Sequence, residues 1–351
     1  MDCCYRCKRI PSVVNFKNYS QDKENVMKQR IVYIDNLKAL AIFTVVIGHV
    51  FYFTWNKYND NVWNNFISVY NMPLFFFLSG MFAKEGLSLK HIGRKAKQLL
   101  IPTATIGGTY AYFNNGIHDY LFGGAHFGYW FLPTLFIMFI FFYVRCQIAK
   151  LFFNNKSVKS ILLLDLLYMF GVWGITKVLA HYIPENIYNL LCFNQITNYV
   201  LFFWGGFLTW KNKEKISSMV KMKLDVIYAL CFLIFGVGFY FCYYSGYETT
   251  GLFRKIMALF TIPLLLILFR KITFNEKIQK ICSYVGTHSL EIYVLQYFFL
   301  PTTYSLGNSV MGGVNCLALA LLESVLVIIL CVTLIKIIDI NKYLNLIFFG
   351  K

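Results

Sequence analysis

The sequence predicts an all-α, polytopic membrane protein: a bundle of about ten transmembrane helices with both termini in the cytoplasm. Of its 351 residues, 58% are apolar and only 14% are charged, whereas soluble proteins carry roughly 25% charged residues. The apolar residues form runs of the length that crosses the hydrocarbon core of a bilayer. The Lys and Arg residues concentrate in every second connection between these runs, as expected for cytoplasmic loops.

The hydropathy pattern divides the chain into a basic tail at 1–30, a transmembrane domain at 31–340 and a short tail at 341–351. The first apolar run is too long for the core of a signal peptide and is typical of a signal anchor. The ten predicted spans are 34–55, 64–83, 99–115, 128–146, 160–180, 195–210, 224–244, 254–270, 281–301 and 313–336.

The distribution of charge supports this topology. With a cytoplasmic N-terminus, the cytoplasmic segments hold 28 of the 33 Lys and Arg residues and the opposite side holds four. This asymmetry accounts for the net charge of +17, so membrane lipid is an expected partner and nucleic acid is not. No metal is expected either, because Cys4 and Cys7 form only half of a typical metal site.

Three ionisable residues of the first span, Asp35, Lys38 and His49, lie on one face of the predicted helix. At 3.6 residues per turn they fall within a stripe about 60° wide, and His49 lies about 16 Å from Lys38 along the axis. Ionisable residues inside a span are costly and therefore functional candidates. The alternative is an interfacial Asp35–Lys38 pair and a packed His49.

The second span carries Asn71, Pro73 and Ser79. Proline frees a backbone carbonyl, which is tolerated in lipid only where neighbours or water satisfy it. Ser79, followed by Gly80, is equally typical of a small-residue packing contact. In the ninth span Glu291 is a buried acid, like Asp165 and Glu323 in other spans, and each of these three acids needs a partner or a proton.

Two clusters lie at opposite ends of the predicted bundle. Arg94, Lys95 and Lys97 belong to the densest cytoplasmic basic segment, which indicates either topology and lipid headgroups or a grip on a phosphate-bearing donor. Tyr129 and Trp130 open the fourth span on the outer side, where an aromatic belt is usual and stacking on a sugar ring is the functional alternative.

Two motifs carry a resemblance to a known family. The segments Tyr33–Leu40 with Val46–His49, and Met72–Gly80, resemble the membrane acyltransferase-3 family, and more narrowly its fucose 4-O-acetylase-like branch. Trp130–Leu132 and Ser289–Tyr293 fit weaker family patterns. The resemblance implies transfer of an acyl group, usually acetyl from acetyl-CoA, to a hydroxyl of a cell-surface glycan, in the plasma membrane.

Within the family, the first-helix His is the residue tied to catalysis, which here is His49. The basic residue 11 positions earlier is often Arg and here is Lys38, which keeps the charge but lacks the guanidinium fork. Many relatives carry His where this chain has Asn71 and Gln296, so His49 is the one imidazole left in these motifs.

The resemblance therefore implies an integral membrane O-acyltransferase. His49 acts either as general base or as covalent acyl carrier, with Lys38 and Asp35 nearby. The phosphates of acetyl-CoA or another acyl-CoA meet Arg94, Lys95 and Lys97. A polysaccharide or lipid-linked sugar binds near Tyr129 and Trp130, with Asn71, Ser79 and Glu291 as further substrate contacts. A transporter or glycan exporter without acyl transfer is the alternative function, and a structural or sensory subunit is the third.

Overall fold

The structure of the chain, a computed structural model, describes residues 16–54, 62–152, 158–216, 224–244, 251–301 and 314–351. These ranges are helical and contain no strand. The helices are α1 (Phe16–Phe53), α2 (Val62–Met81), α3 (Leu89–Pro102), α4 (Gly108–Phe113), α5 (Ile117–Phe122), α6 (Phe131–Phe152), α7 (Val158–Leu179), α8 (Glu185–Leu190), α9 (Phe193–Lys211), α10 (Leu224–Tyr244), α11 (Gly251–Lys271), α12 (Glu276–Thr287), α13 (Ser289–Leu295), α14 (Val314–Asp339) and α15 (Lys342–Phe349).

Within the described residues, five helical segments are long and apolar enough to cross a membrane, which confirms a helical, multi-pass protein. They are Val32–Phe53, Phe131–Phe152, Ser160–Leu179, Gly251–Lys271 and Leu317–Asp339. The count of ten spans and the cytoplasmic placement of both termini stay predictions. The paired residues Cys4 and Cys7 lie outside the described residues.

α1 is the central helix of the bundle. It contacts α2, α11, α12, α13 and α14, and 67% of its apolar window is buried, against 22–33% for the other four candidate spans. A helix surrounded by other helices buries all of its faces. The ionisable stripe of α1 therefore faces protein, which places its side chains inside the bundle.

The contact between α2 and α9 depends on two glycines. A Cβ atom on Gly80 would overlap the backbone carbonyl of Phe203, and a Cβ on Gly206 would overlap the carbonyl of Phe77. The two backbones meet at these points, as in the small-residue contacts of membrane helices. Gly80 is thus a packing residue, one of the two possibilities left open for the Ser79–Gly80 pair.

Two predicted spans differ from the helices observed. The span predicted at 281–301 is interrupted at His288, where α12 ends and α13 begins, and it finishes in a 3₁₀ turn, Gln296–Phe298. The span predicted at 99–115 begins ten residues earlier, at Leu89. Its basic residues therefore lie on a helix, α3, because an amphipathic helix can extend from the apolar core into the charged boundary.

Buried charges are compensated at one end of the bundle. Arg145 of α6 donates from Nε to Asp165 of α7 over 2.5 Å and contacts Glu85 over 3.2 Å. Lys211 of α9 joins both acids, at 2.7 Å and 3.3 Å. Asp165, for which the sequence required a partner, therefore has two cations, and the cluster ties α6, α7 and α9 to the loop after α2.

The other two buried acids also have partners. Glu323 of α14 accepts a hydrogen bond of 2.6 Å from the hydroxyl of Thr54. Glu291 of α13 pairs with Lys351, which follows α15. The segment predicted as a C-terminal tail thus includes a helix, and α15 packs against α3.

Candidate functional site

His49 lies near the end of α1 among residues of the broken ninth segment. The hydroxyl of Tyr297 lies 3.3 Å from Nε2 of His49, and the two ring centroids are 5.0 Å apart. The side-chain amide of Gln296 is a further neighbour of the imidazole. The ring of Phe53 closes another side at 6.2 Å. Tertiary packing therefore surrounds His49 with one hydroxyl, one amide and aromatic rings.

Two buried hydrogen-bond acceptors at this place have no donor. In the part of the chain that the structure describes, neither Nδ1 of His49 nor Oε1 of Gln296 has a hydrogen-bond partner. The amide nitrogen of Gln296 is committed to the carbonyl of Tyr293 at 2.9 Å, which fixes the orientation of the amide. Buried polar groups are normally satisfied, so these two atoms are unsatisfied polar groups of the site.

A left-handed turn positions Tyr297. His126, Phe127 and Gly128 have φ values of 46°, 53° and 90°, a conformation that costs energy for residues other than glycine. The turn directs the carbonyl of Gly128 toward Tyr297, which donates to it over 2.9 Å. A Cβ on Gly128 would overlap the hydroxyl of Tyr297. Position 128 therefore requires glycine for two independent reasons.

The turn itself is held by His126. Its Nδ1 lies 2.9 Å from the carbonyl of Tyr120, and its Nε2 lies 2.9 Å from the carbonyl of Asn189. Tyr293 also donates to the Gly128 carbonyl. These contacts join α5, α8 and α13 around one strained turn, so His49 faces a preorganised partner.

These contacts indicate which nitrogen of His49 carries the proton. Tyr297 has one hydroxyl proton, and its shorter contact is to the Gly128 carbonyl. The oxygen of Tyr297 is then left to accept from Nε2 of His49. In a neutral imidazole only one nitrogen is protonated, so Nδ1 is the bare nitrogen in the tautomer that donates from Nε2 to Tyr297. In that tautomer the unpartnered atom is the one that can take a proton.

The end of the bundle at which α1 carries Asp35 and Lys38 is called the lysine end. Lys38 pairs with Asp35 at 4.0 Å, and its Nζ lies 4.6 Å from the centroid of the Phe82 ring. Lys95 of α3 places its Nζ 4.8 Å from the Phe139 ring. Burial and the positive charge of Lys38 both lower the pKa of Lys95. Lys38 and Lys95 are therefore close enough for their charges to interact.

The predicted basic triad does not share one surface. Lys95 faces the bundle, whereas Arg94 and Lys97 are exposed. The sequence singled out Lys95 together with its chain neighbours. Lys95 instead interacts electrostatically with Lys38 of a different helix, because residues 94, 95 and 97 lie within a single helical turn that points their side chains in different directions.

Asn71 and Ser79 lie away from the imidazole. Gly48, beside His49, is level with Asn64 of α2, whose Oδ1 would lie 3.4 Å from a Cβ at position 48. Asn71 and Ser79 follow Asn64 by about 10 Å and about 22 Å along the helix. Asn71 accepts from the backbone of Met72 at 2.6 Å. Ser79 is therefore nearer to the lysine end than to His49.

The aromatic pair at the start of α6 is divided. Tyr129 is completely buried and donates to the carbonyl of Val294 at 3.0 Å, and its ring lies 4.6 Å from that of Tyr297. Trp130 is partly exposed and stacks on Tyr199 at 5.3 Å. Tyr129 thus supports Tyr297 from behind, and Trp130 is the member of the pair that a ligand can reach.

Glu291 lies on another side of α13. With Lys351 it lines a small cavity near Gln98 and Phe349, away from Gln296, which faces α1. The residues that the sequence did not single out, Tyr297 and Gly128, belong to elements remote from α1 in the chain. The sequence did contain one signal for Tyr297. This residue follows Tyr293 by four residues and therefore lies on the same face of a helix.

Comparison with known proteins identifies the chain at the level of its family. Neither a curated protein nor a solved structure matches the sequence. A family model described as an acyltransferase domain matches residues 31–338, which covers all the helices of the site. The chain therefore belongs to the acyltransferase-3 family of membrane proteins.

Proposed function

We propose that the protein is an integral membrane O-acyltransferase that moves an acyl group, usually acetyl, from acyl-CoA to a sugar hydroxyl. The observation that carries this proposal is the pair of unpartnered acceptors, Nδ1 of His49 and Oε1 of Gln296. A hydroxyl group donates one hydrogen bond, and the bare nitrogen is the group able to remove its proton. Membership of the acyltransferase family supports acyl transfer as the type of reaction.

In the proposed reaction, Nδ1 of His49 accepts the proton of the acceptor hydroxyl as general base. The hydroxyl oxygen forms a bond to the acyl carbon, the carbon–sulfur bond of the thioester breaks, and the CoA thiolate takes the proton back from His49. The Gln296 amide lies beside the imidazole, and Tyr297 holds the imidazole in the required tautomer. Covalent transfer through His49 is the alternative chemistry of the same nitrogen.

The donor is proposed to enter from the lysine end. The phosphates of acyl-CoA would contact Lys38 and Lys95, with exposed Arg94 and Lys97 at the surface. The axial distance of about 16 Å between Lys38 and His49 would be covered by the extended arm that carries the thioester. Asn71, about 10 Å along α2 from the level of His49, is proposed to line the path of the donor between the two ends, and Ser79 would contact the donor nearer to Lys38.

The acceptor is proposed to be a cell-surface polysaccharide or a lipid-linked sugar, approaching from the end of the bundle that contains Trp130. Resemblance to the fucose 4-O-acetylase-like branch supports a sugar hydroxyl, and an exposed aromatic face suits a sugar ring. A plasma membrane location accords with this acceptor. Glu291, paired with Lys351, would act at a distance from the reacting groups.

The test uses the purified full chain in nanodiscs with labelled acetyl-CoA and a lipid-linked glycan fraction. Release of CoA and label on the glycan are measured for the wild type, His49→Ala and His181→Ala, a control at an exposed histidine. We expect wild-type turnover, loss of at least about 10²-fold in His49→Ala and unchanged activity in the control. Equal turnover in His49→Ala contradicts the mechanism. No CoA release from the wild type would favour a transporter.

A further inference from the structure

A cavity of about 290 Å³ lies at the lysine end of the bundle, outside the site described above. It is formed where α2 and α9 end, between α10 and α11. Its walls are mostly apolar and include Phe77, Met81, Trp210, Pro263 and Leu266. An apolar cavity of this kind takes a hydrocarbon chain.

The mouth of the cavity carries two cations. Lys213 and Arg270 are the charged residues among its twelve lining residues, which include no acid. Nζ of Lys213 lies 4.7 Å from the centroid of the Trp210 ring, and Arg270 is exposed in the last turn of α11. The site therefore pairs an apolar interior with a positive rim, which matches an anionic amphiphile.

The cavity lies at the same end as Lys38 but is separate from the imidazole. The Phe82 ring, which contacts Lys38, lies 6.4 Å from the Trp210 ring. Tyr33, another lining residue, precedes His49 by 16 positions, or about 24 Å of helix. A molecule in the cavity cannot reach His49 from there, so the cavity is not the place of acyl transfer.

We propose that this cavity binds an anionic phospholipid of the surrounding bilayer, with one acyl chain between α2, α9 and α11 and the phosphate at Lys213 and Arg270. Phospholipid is the occupant because the ligand must combine a chain and an anion, and because the bilayer supplies it at high concentration. Basic pockets between membrane helices bind anionic headgroups in this manner.

The experiment measures retained lipid and thermal unfolding of the purified full chain in the presence of phosphatidylglycerol or phosphatidylcholine. Each basic residue near a membrane surface contributes about 1 kcal/mol, or about fivefold in affinity. The double variant Lys213→Ala/Arg270→Ala should therefore bind phosphatidylglycerol about 25-fold more weakly. Binding of phosphatidylcholine should change little.

Two further variants make the result specific. Lys277→Ala/Lys280→Ala removes the same charge from exposed positions at the same end and should bind phosphatidylglycerol as the wild type does. Leu266→Trp fills the cavity with both cations in place and should also lose the lipid. The proposal is overturned if the Lys213/Arg270 variant retains wild-type affinity, if both lipids bind equally, or if acetyl-CoA displaces the lipid from the cavity.

Discussion

At the scale of single residues, the position of one proton determines what His49 can do. The hydroxyl of Tyr297 donates to the Gly128 carbonyl at 2.9 Å and thereby leaves its oxygen to Nε2 of His49. Removing that oxygen frees the imidazole to adopt the other tautomer. Tyr297 thus acts through His49 and is a positioning residue.

We therefore expect Tyr297→Phe to lower kcat by about 10²-fold, the range of general acid–base effects, with KM nearly unchanged. Tyr129→Phe is the matched control, because its hydroxyl bonds to Val294 and does not contact His49. Steady-state kinetics with acyl-CoA distinguish the two variants. An equal loss in both would show that the tyrosines act through packing alone.

The sequence predicted the position of His49 on the α1 stripe because helical periodicity is a local property. It did not predict Tyr297, Gln296 and Gly128 as its surroundings, because these contacts join residues 169 and 248 positions apart in the chain. Lys95 illustrates the same limit. Its charge was evident, but its proximity to Lys38 depends on how α3 packs against α6 and α15.

At the scale of helices, the contact between α2 and α9 has no space for a methyl group at two of three neighbouring glycines. Gly80→Ala and Gly206→Ala each force a Cβ into a backbone carbonyl, and overpacking of this kind costs about 1–3 kcal/mol or more. Gly205→Ala places its Cβ 3.8 Å from the Phe77 ring, which is an ordinary contact.

Thermal unfolding in detergent should thus show lower melting temperatures for Gly80→Ala and Gly206→Ala and a nearly unchanged value for Gly205→Ala. The three variants add the same methyl group. Intrinsic helix propensity, which favours alanine over glycine, therefore cannot explain why only two of them lower the melting temperature. Three equal melting temperatures would show that the helices separate easily at this contact.

The ion cluster connects several helices and makes stability depend on pH. Burial opposes ionisation of Glu85, but the hydrogen bond from Lys211 and the charges of Lys211 and Arg145 outweigh it and lower the pKa of Glu85 below 4.5. A carboxyl with a depressed folded pKa stabilises the fold fully above its unfolded value. That contribution is lost as pH falls through the folded pKa.

We expect the stability difference between wild type and Glu85→Gln to be constant near neutral pH and to shrink below about pH 4.5. Lys211→Met should remove much of the same dependence, because Lys211 supplies the main contacts that favour ionisation. Melting temperatures between pH 3 and pH 7 measure both effects. A difference that grows on acidification would mean that Glu85 is protonated in the folded protein at neutral pH.

At the scale of the whole molecule, the described helices and the sequence pattern give different counts of membrane spans. Within the described residues, five helical segments satisfy length and hydropathy, whereas the apolar runs and the Lys and Arg asymmetry of the sequence predict ten. α2 falls short of the hydropathy criterion because it carries buried Asn64 and Asn65, and a helix enclosed by protein does not need an apolar surface on every side. The interruption at His288 divides the predicted ninth span into two helices, α12 and α13, and each is too short to cross a membrane alone.

The two counts place particular residues on different sides of the membrane. With ten spans, Lys90, Lys277 and Lys342 are all cytoplasmic. With only the five segments, Lys277 alone keeps that side, because one span precedes Lys90, four precede Lys277 and five precede Lys342. His118 is external in both arrangements. All four side chains are exposed, so each position is accessible to a reagent.

Single cysteines at these four positions, in a background without the native cysteines, should therefore decide the topology by labelling of intact cells with an impermeant thiol reagent. We expect the His118→Cys variant to be labelled directly, and the Lys90→Cys, Lys277→Cys and Lys342→Cys variants only after permeabilisation. Direct labelling at 90 and 342 would reject the ten-span arrangement. It would also place Lys95 on the external side, away from Lys38 at the cytoplasmic start of the first span, so this result tests the proposed donor route as well.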